Sequence, residues 1–146
     1  MTPTTLPLRE FHLARRVQFS EVDAAGIVHF SWYPRYMEEA EHAMWREVGL
    51  TVFAKDAAYG WPRVAITMDY AAPLHFEDVV DVHLQIAAMG RSSIRYRAVL
   101  TRGATRVATG TMTVVCVQTD AEGVAKAIPL PEVVTSRFAV ADADPA

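Results

Sequence analysis

The feature that most constrains this chain is a single change of hydrophobic period. Between Trp32 and Val48 apolar residues recur at helical spacing. Tyr33, Met37, Ala40, Met44 and Val48 share one face, with Tyr36 and Ala43 beside them, and Glu38, Glu39, Glu41 and Arg46 mostly on the other. Ser31 is placed to cap this helix, Pro34 lies in its first turn, where a missing N–H costs little, and Gly49 can terminate it. After Pro62 the period becomes two. Val64, Ile66, Met68, Tyr70 and Ala72 alternate with their neighbours, as do Val80 to Ala88 and Ile94 to Leu100. A last strand, about Arg106 to Gln118, is nearly apolar on both faces, and a first strand is expected at about His12 to Phe19. The connections at Glu77-Asp78, Met89-Gly90-Arg91 and Arg102-Gly103-Ala104 are short, which predicts antiparallel neighbours.

The expected architecture is therefore α+β: a five-stranded antiparallel sheet and one long helix. With 146 residues this suits a single domain, with its core at about 12–135 and flexible tails at 1–8 and 141–146. One helix covers only one face of such a sheet. The second apolar face of the last strand then predicts self-association, with the helix start near a sheet edge where a second subunit could complete a pocket.

A net charge of −3 argues against nonspecific nucleic-acid binding, which rests on phosphate neutralisation by basic residues. Positive charge is nevertheless gathered at Arg91, Arg95, Arg97, Arg102 and Arg106, a sector suited to a compact polyanion. No apolar run approaches the roughly 18 residues that span a bilayer, and Met1 to Arg9 lacks the pattern of a secretory signal. A lone Cys116 in a strand-like run reads as a buried thiol, and these features together predict a cytoplasmic protein.

Chemistry concentrates in Phe19-Ser20-Glu21-Val22-Asp23-Ala24-Ala25-Gly26-Ile27-Val28-His29-Phe30. One carboxylate, Asp23, sits in a glycine-containing loop between a strand and a helix start. Helix starts offer unpaired N–H groups and partial positive charge. A carboxylate beside such donors can serve acyl transfer, the acid attacking or activating water while N–H groups hold the oxyanion. The same residue type is common as a plain turn or capping group.

This loop, followed by Tyr33-Pro34-Arg35-Tyr36-Met37-Glu38 and Glu39-Ala40, resembles the 4-hydroxybenzoyl-CoA thioesterase family of the hotdog fold. Met68-Asp69-Tyr70-Ala71-Ala72-Pro73-Leu74, Gly90-Arg91-Ser92-Ser93 and Lys126-Ala127-Ile128-Pro129 extend the likeness over about residues 12–135. The resemblance implies a sheet wrapped around a central helix and hydrolysis of acyl-CoA thioesters without metal or organic cofactor. It implies a homodimer with sites at its interface, commonly paired into a homotetramer. Asp23 aligns with the catalytic carboxylate, and the backbone at His29 to Ser31, Phe30 foremost, with the oxyanion donor. Gly26 and Tyr33 belong to the same acyl site. Three departures stand out: Glu21 replaces an Asp, Val22 replaces a Thr or Cys, and a His usual just before the helix lies one place earlier, at His29.

For the nucleotide end of CoA, the turn at Arg91, Ser92 and Ser93 offers a guanidinium, hydroxyls and N–H groups to phosphate. Arg95 and Arg97 share a strand face that suits either phosphate or an acidic neighbour. Glu21 reads as a loop-bracing acid, and Glu38, Glu39 and Glu41 as surface acids of the helix. Trp61, Met68, Tyr33 and His29 are candidate pocket residues; Trp32, Trp45 and Trp61 read better as core or interface. His12, His42, His75 and His83 lack metal-ligand spacing, so no metal is expected. Besides an acyl-CoA thioesterase, the sequence admits a non-catalytic acyl- or protein-binding module, and a thioesterase acting on acyl carrier protein. The acyl group itself stays open.

Overall fold

The computed structural model describes residues 6–142. Five strands, β1 (Glu10–Arg16), β2 (Arg63–Tyr70), β3 (Val79–Met89), β4 (Ser93–Arg102) and β5 (Thr105–Val115), form one antiparallel sheet in the order β1-β3-β4-β5-β2. Helix α1 (Trp32–Glu47) lies across its concave face. A small hairpin, β6 (Val117–Thr119) and β7 (Ala125–Ala127), and a one-turn helix, α2 (Glu132–Thr135), follow. The expected α+β hotdog architecture is borne out.

The period-two pattern predicts the inner face correctly. Val82, Leu84 and Ile86 of β3 oppose Leu100, Ala98 and Tyr96 of β4, and Tyr96 and Ala98 oppose Met112 and Gly110 of β5. All are buried beneath Tyr36, Met37, Ala40 and Met44 of the helix. Gly110 is required here, because a Cβ would meet the Thr67 carbonyl at 2.7 Å. Gly49 ends the helix at φ +79°, as its sequence position predicts.

Several expectations are corrected. The first strand stops at Arg16, and Phe19–Glu21 forms a 3₁₀ turn in which the Gln18 N–H donates to Glu21 Oε1 at 2.8 Å. Ser31 sits at the helix N-cap but does not cap it; its hydroxyl meets His29 Nδ1 at 2.8 Å. Glu41 is not a surface acid. It is wholly buried, paired with Arg63 of β2 and facing the Tyr96 hydroxyl, which also accepts the Trp45 indole N–H at 2.9 Å. Burial pushes the Glu41 carboxyl up, against the pull of Arg63 and Tyr96. Helical periodicity misassigns it because a charge that brings its own counterion can occupy an inward position.

The uncovered apolar surface also lies elsewhere than expected. On β5 the outward residues are Thr109, Thr111, Thr113 and Val115, so that face is mostly polar. It is edge strand β2 that exposes Val64, Ile66 and Tyr70, because α1 does not reach far enough to shield them. Of the two expected flexible tails, residues 1–5 and 143–146 lie outside the described residues. Leu8 and Ala141 are tied down, the Leu8 N–H donating to Arg137 and the Ala141 N–H to Ile86.

Candidate active site

Asp23 opens the turn that leads from the 3₁₀ segment to the helix. Its N–H donates to the Ile27 carbonyl and its carbonyl accepts from Gly26, which holds φ +83°. Val22 and Val28 bridge across the base of this loop. The Asp23 side chain folds back so that Oδ1 accepts the Ala25 N–H at 2.8 Å. Among the described residues nothing binds Oδ2, which leaves one carboxylate oxygen for chemistry.

The loop is anchored from below by Glu21, buried to 2% exposure. Its carboxylate takes two N–H groups from Arg15, the Tyr36 hydroxyl at 2.8 Å and the Gln18 N–H. Burial alone would raise this acid, but Arg15, Gln18 and Tyr36 together hold it below the ordinary glutamate value. Arg15 is shared with Glu39 at 2.6 Å. The reading of Glu21 as a loop-bracing acid therefore agrees with its contacts, which face inward and away from the Asp23 carboxylate.

The Ala24 and Ile27 N–H groups have no acceptor among the described residues, and from Val28 to Trp32 the backbone donors are assigned one by one. The Val28 N–H goes to Leu74, that of His29 to Glu21, that of Ser31 to the His29 ring at 3.3 Å, and that of Trp32 to His29. The Phe30 N–H alone in this run has no acceptor among the described residues. Helix starts leave such donors by necessity, and here three of the neighbours are consumed by backbone carbonyls, those of Glu21, His29 and the distant Leu74.

Asp23, Phe30 and Tyr33 line one open cleft of about 490 Å³, with Ile27, Val28 and Tyr70. Its remaining wall is the Ala71-Ala72-Pro73 segment. Tyr70 donates its hydroxyl to the Phe30 carbonyl at 2.9 Å and meets the Tyr33 ring edge-on at 5.0 Å. This contact fixes the peptide on the far side of Phe30. Sequence reasoning missed Tyr70 as a site residue; its signal is an aromatic at the last position of an edge strand, just before Ala-Ala-Pro.

The other sequence candidates divide. Gly26 shapes the loop but does not line the cleft. His29 turns its ring to Ser31 and stacks on Phe30, and Ser31 faces a neighbouring hollow with Pro34, Glu38 and Ile66. Trp61 is buried against Trp45 and Tyr59, and Met68 packs over Gly110, so neither reaches the cleft. Arg91, Ser92 and Ser93 form the β3–β4 turn, as expected, but at the opposite end of the sheet. From Ala108, beside Tyr70, to Val115, beside Ser93, is seven residues of β5, roughly 24 Å at about 3.4 Å per residue. Within one chain the turn does not meet Asp23. Cys116 is buried, and burial pushes its thiol up, away from nucleophilic use.

No described helix is long and apolar enough to cross a membrane. Residues 17–138 match the family model of the Thioesterase-like superfamily. A 1,4-dihydroxy-2-naphthoyl-CoA hydrolase from Synechococcus elongatus is 27% identical over 128 residues, which cover 86% of this chain and 92% of that protein. Two solved structures are each 30% identical and cover 87% of this chain and 98% of theirs. One is a hypothetical protein from Aquifex aeolicus with TM-score 0.79, and the other a gentisyl-coenzyme A thioesterase with TM-score 0.75.

Proposed function

The chain belongs to the Thioesterase-like superfamily, and from that premise we propose that it hydrolyses aryl-CoA thioesters with Asp23 as the reacting carboxylate and the Phe30 N–H as oxyanion donor. Thioester hydrolysis itself is the activity of the family. The observation that carries the finer reading is that Asp23, with one carboxylate oxygen unbound, and Phe30, whose N–H has no acceptor among the described residues, line one cleft with Tyr33 and Tyr70. Aromatic walls suit a flat acyl group, and two relatives act on aryl-CoA compounds by name.

Asp23 supplies electrons in either of two balanced courses. Its Oδ2 adds to the thioester carbon, the C–S bond breaks to release CoA thiolate, and water then cleaves the mixed anhydride. Alternatively Oδ2 takes a proton from water as the water oxygen adds, and the tetrahedral intermediate collapses with loss of the thiolate. In both, negative charge gathers on the carbonyl oxygen, where a fixed N–H is worth about 3 kcal/mol, or some hundredfold in rate.

A twofold partner would complete the site. Edge strand β2 exposes backbone and the apolar Val64, Ile66 and Tyr70. Antiparallel pairing of β2 with β2 of a second copy sets the Arg63 end of one chain beside the Tyr70 end of the other. That brings the second copy's Arg91 turn toward this chain's Asp23, within reach of the phosphates of a bound CoA. The functional unit in this reading is a cytoplasmic homodimer, paired into a homotetramer.

The test is thiol release from a panel of aliphatic and aromatic acyl-CoA esters, with wild type and Asp23→Asn side by side. Turnover of aryl-CoA esters lost in the variant supports the reading. Full activity in the variant removes Asp23 from the mechanism, and a preference for aliphatic esters removes the aryl assignment.

A further inference from the structure

We infer that the outer face of the sheet carries a second site, a divalent-cation site for a metal of zinc's class, built from Glu10, His12 and His83. These residues are remote in sequence, which is why spacing along the chain gives no hint of them. The β1–β3 register places His12 directly opposite His83, and Glu10 is two positions from His12 on the same face. That face points away from α1 and from the Asp23 cleft.

The donor residues are already gathered, although the stacked rings must turn before their lone pairs converge. The two imidazoles stack with centroids 4.0 Å apart and planes 11° from parallel. His12 Nδ1 lies 2.9 Å from Asp81 Oδ2. A carboxylate there accepts the Nδ1 hydrogen and leaves the Nε2 lone pair available, the arrangement that prepares an imidazole for a metal. His83 Nε2 is buried and has no hydrogen-bond partner among the described residues. Glu10 Oε2 is 3.6 Å from it and is steadied by Gln85 Nε2 at 3.3 Å. A buried nitrogen without a partner calls for an explanation, and an ion is one.

One ligand atom from each of the three residues lies within 4.8 Å of the others. Tetrahedral zinc, with ligands about 2.0–2.2 Å away, wants them roughly 3.4 Å apart. Closing that gap takes side-chain movements on the order of an ångström, together with a turn of one ring out of the stack. His12 and Glu10 are half exposed and can make them, whereas His83 is the more buried of the three. The charged groups facing the site are Glu10, Asp81 and Arg97, the last engaged with Gln85 Oε1 at 3.0 Å. Two carboxylates against one guanidinium leave the surroundings favourable to a cation. Two imidazoles and one carboxylate select zinc, copper or nickel over calcium or magnesium. The bound ion would clip edge strand β1 to β3 and keep its remaining coordination position toward solvent.

The experiment uses the full-length, tag-free protein, stripped with chelator and desalted. Zn²⁺ is titrated by calorimetry, and melting is followed with and without saturating Zn²⁺. Expected are one Zn²⁺ per chain and a rise in Tm of roughly 5–10 °C at a hundredfold excess over Kd. His12→Gln, at a half-exposed position, should keep the apo Tm and weaken binding at least tenfold. His12→Gln/His83→Asn, shown folded by circular dichroism, should lose the shift. No binding by wild type overturns the proposal, and so does an unchanged stoichiometry and shift in the folded double variant. Neither readout depends on thioester hydrolysis.

Discussion

Tyr36 of the helix donates its hydroxyl to the buried carboxylate of Glu21 at 2.8 Å. This bond ties α1 to the turn that presents Asp23, because the Glu21 carbonyl also accepts the His29 N–H. Both ends of the loop that carries Asp23 thus hang on one residue. Glu21→Gln keeps the shape but removes the charge that Arg15 answers. The expected cost is about 3 kcal/mol, the low end for breaking a buried pair, because Glu39 still holds Arg15. Urea unfolding measures it.

The same acid predicts a pH dependence. The Glu21 carboxyl is held below its unfolded value, so its contribution is complete above the ordinary glutamate pKa of about 4.3 and is lost as pH falls through the folded value. Glu41 has the opposite sign. Burial raises it, so stability declines as pH rises from about 4.3 toward its folded value. Unfolding free energies across this range should show Glu21→Gln flattening the limb below about pH 4.3 and Glu41→Gln the limb just above. An unchanged acid limb in Glu21→Gln would mean that other carboxylates set it.

Asp23→Asn is the mildest change at the centre of the site. An amide oxygen still accepts the Ala25 N–H, so the turn and the melting temperature should be preserved. Aryl-CoA turnover should fall at least about a hundredfold, since neither attack nor proton removal is open to an amide. Steady-state kinetics beside a thermal melt separates loss of chemistry from loss of fold.

Much of this was legible in the sequence, and the exceptions have physical causes. Strand faces could be read because side chains alternate strictly, and α1 because its apolar stripe is continuous. Glu41 defeated the pattern because Arg63, distant in sequence, neutralises it inside. Asp23 and Phe30 were legible because turn and helix start are local structures. Tyr70 was not, because its place in the cleft comes from a strand that returns 40 residues later to meet the Phe30 carbonyl. The separation of Arg91 from Asp23 was invisible for the same reason: which end of a sheet a turn occupies follows from strand order, not from composition.

The proposed pairing of β2 rests on exposed Val64 and Ile66, so a charge placed there should undo it. Ile66 is 48% exposed in the isolated chain, and Ile66→Glu therefore costs the fold little. In a dimer it would bury two like charges near the twofold axis. Light scattering should show the mass fall to half the wild-type value or less, and thioester hydrolysis should fall with it although Asp23 is intact. A variant that keeps the wild-type mass places the interface elsewhere.

Assembly of a site from two chains makes a sharper forecast for Arg91. Alone, Arg91→Ala should raise the KM for acyl-CoA several-fold and change kcat little, because a phosphate contact remote from the carbonyl contributes equally to ground and transition states. Combined in trans with Asp23→Asn, it tests the geometry. In a heterodimer of the two variants, each site takes its acid from one chain and its arginine from the other. One site then carries both substitutions and the other carries neither. Differently tagged chains, co-expressed and purified by both tags, should regain about half the wild-type activity with the wild-type KM. If acid and arginine served the same site from one chain, every site in that heterodimer would hold one substitution. No wild-type site would then exist, and the only turnover would show the raised KM of Arg91→Ala.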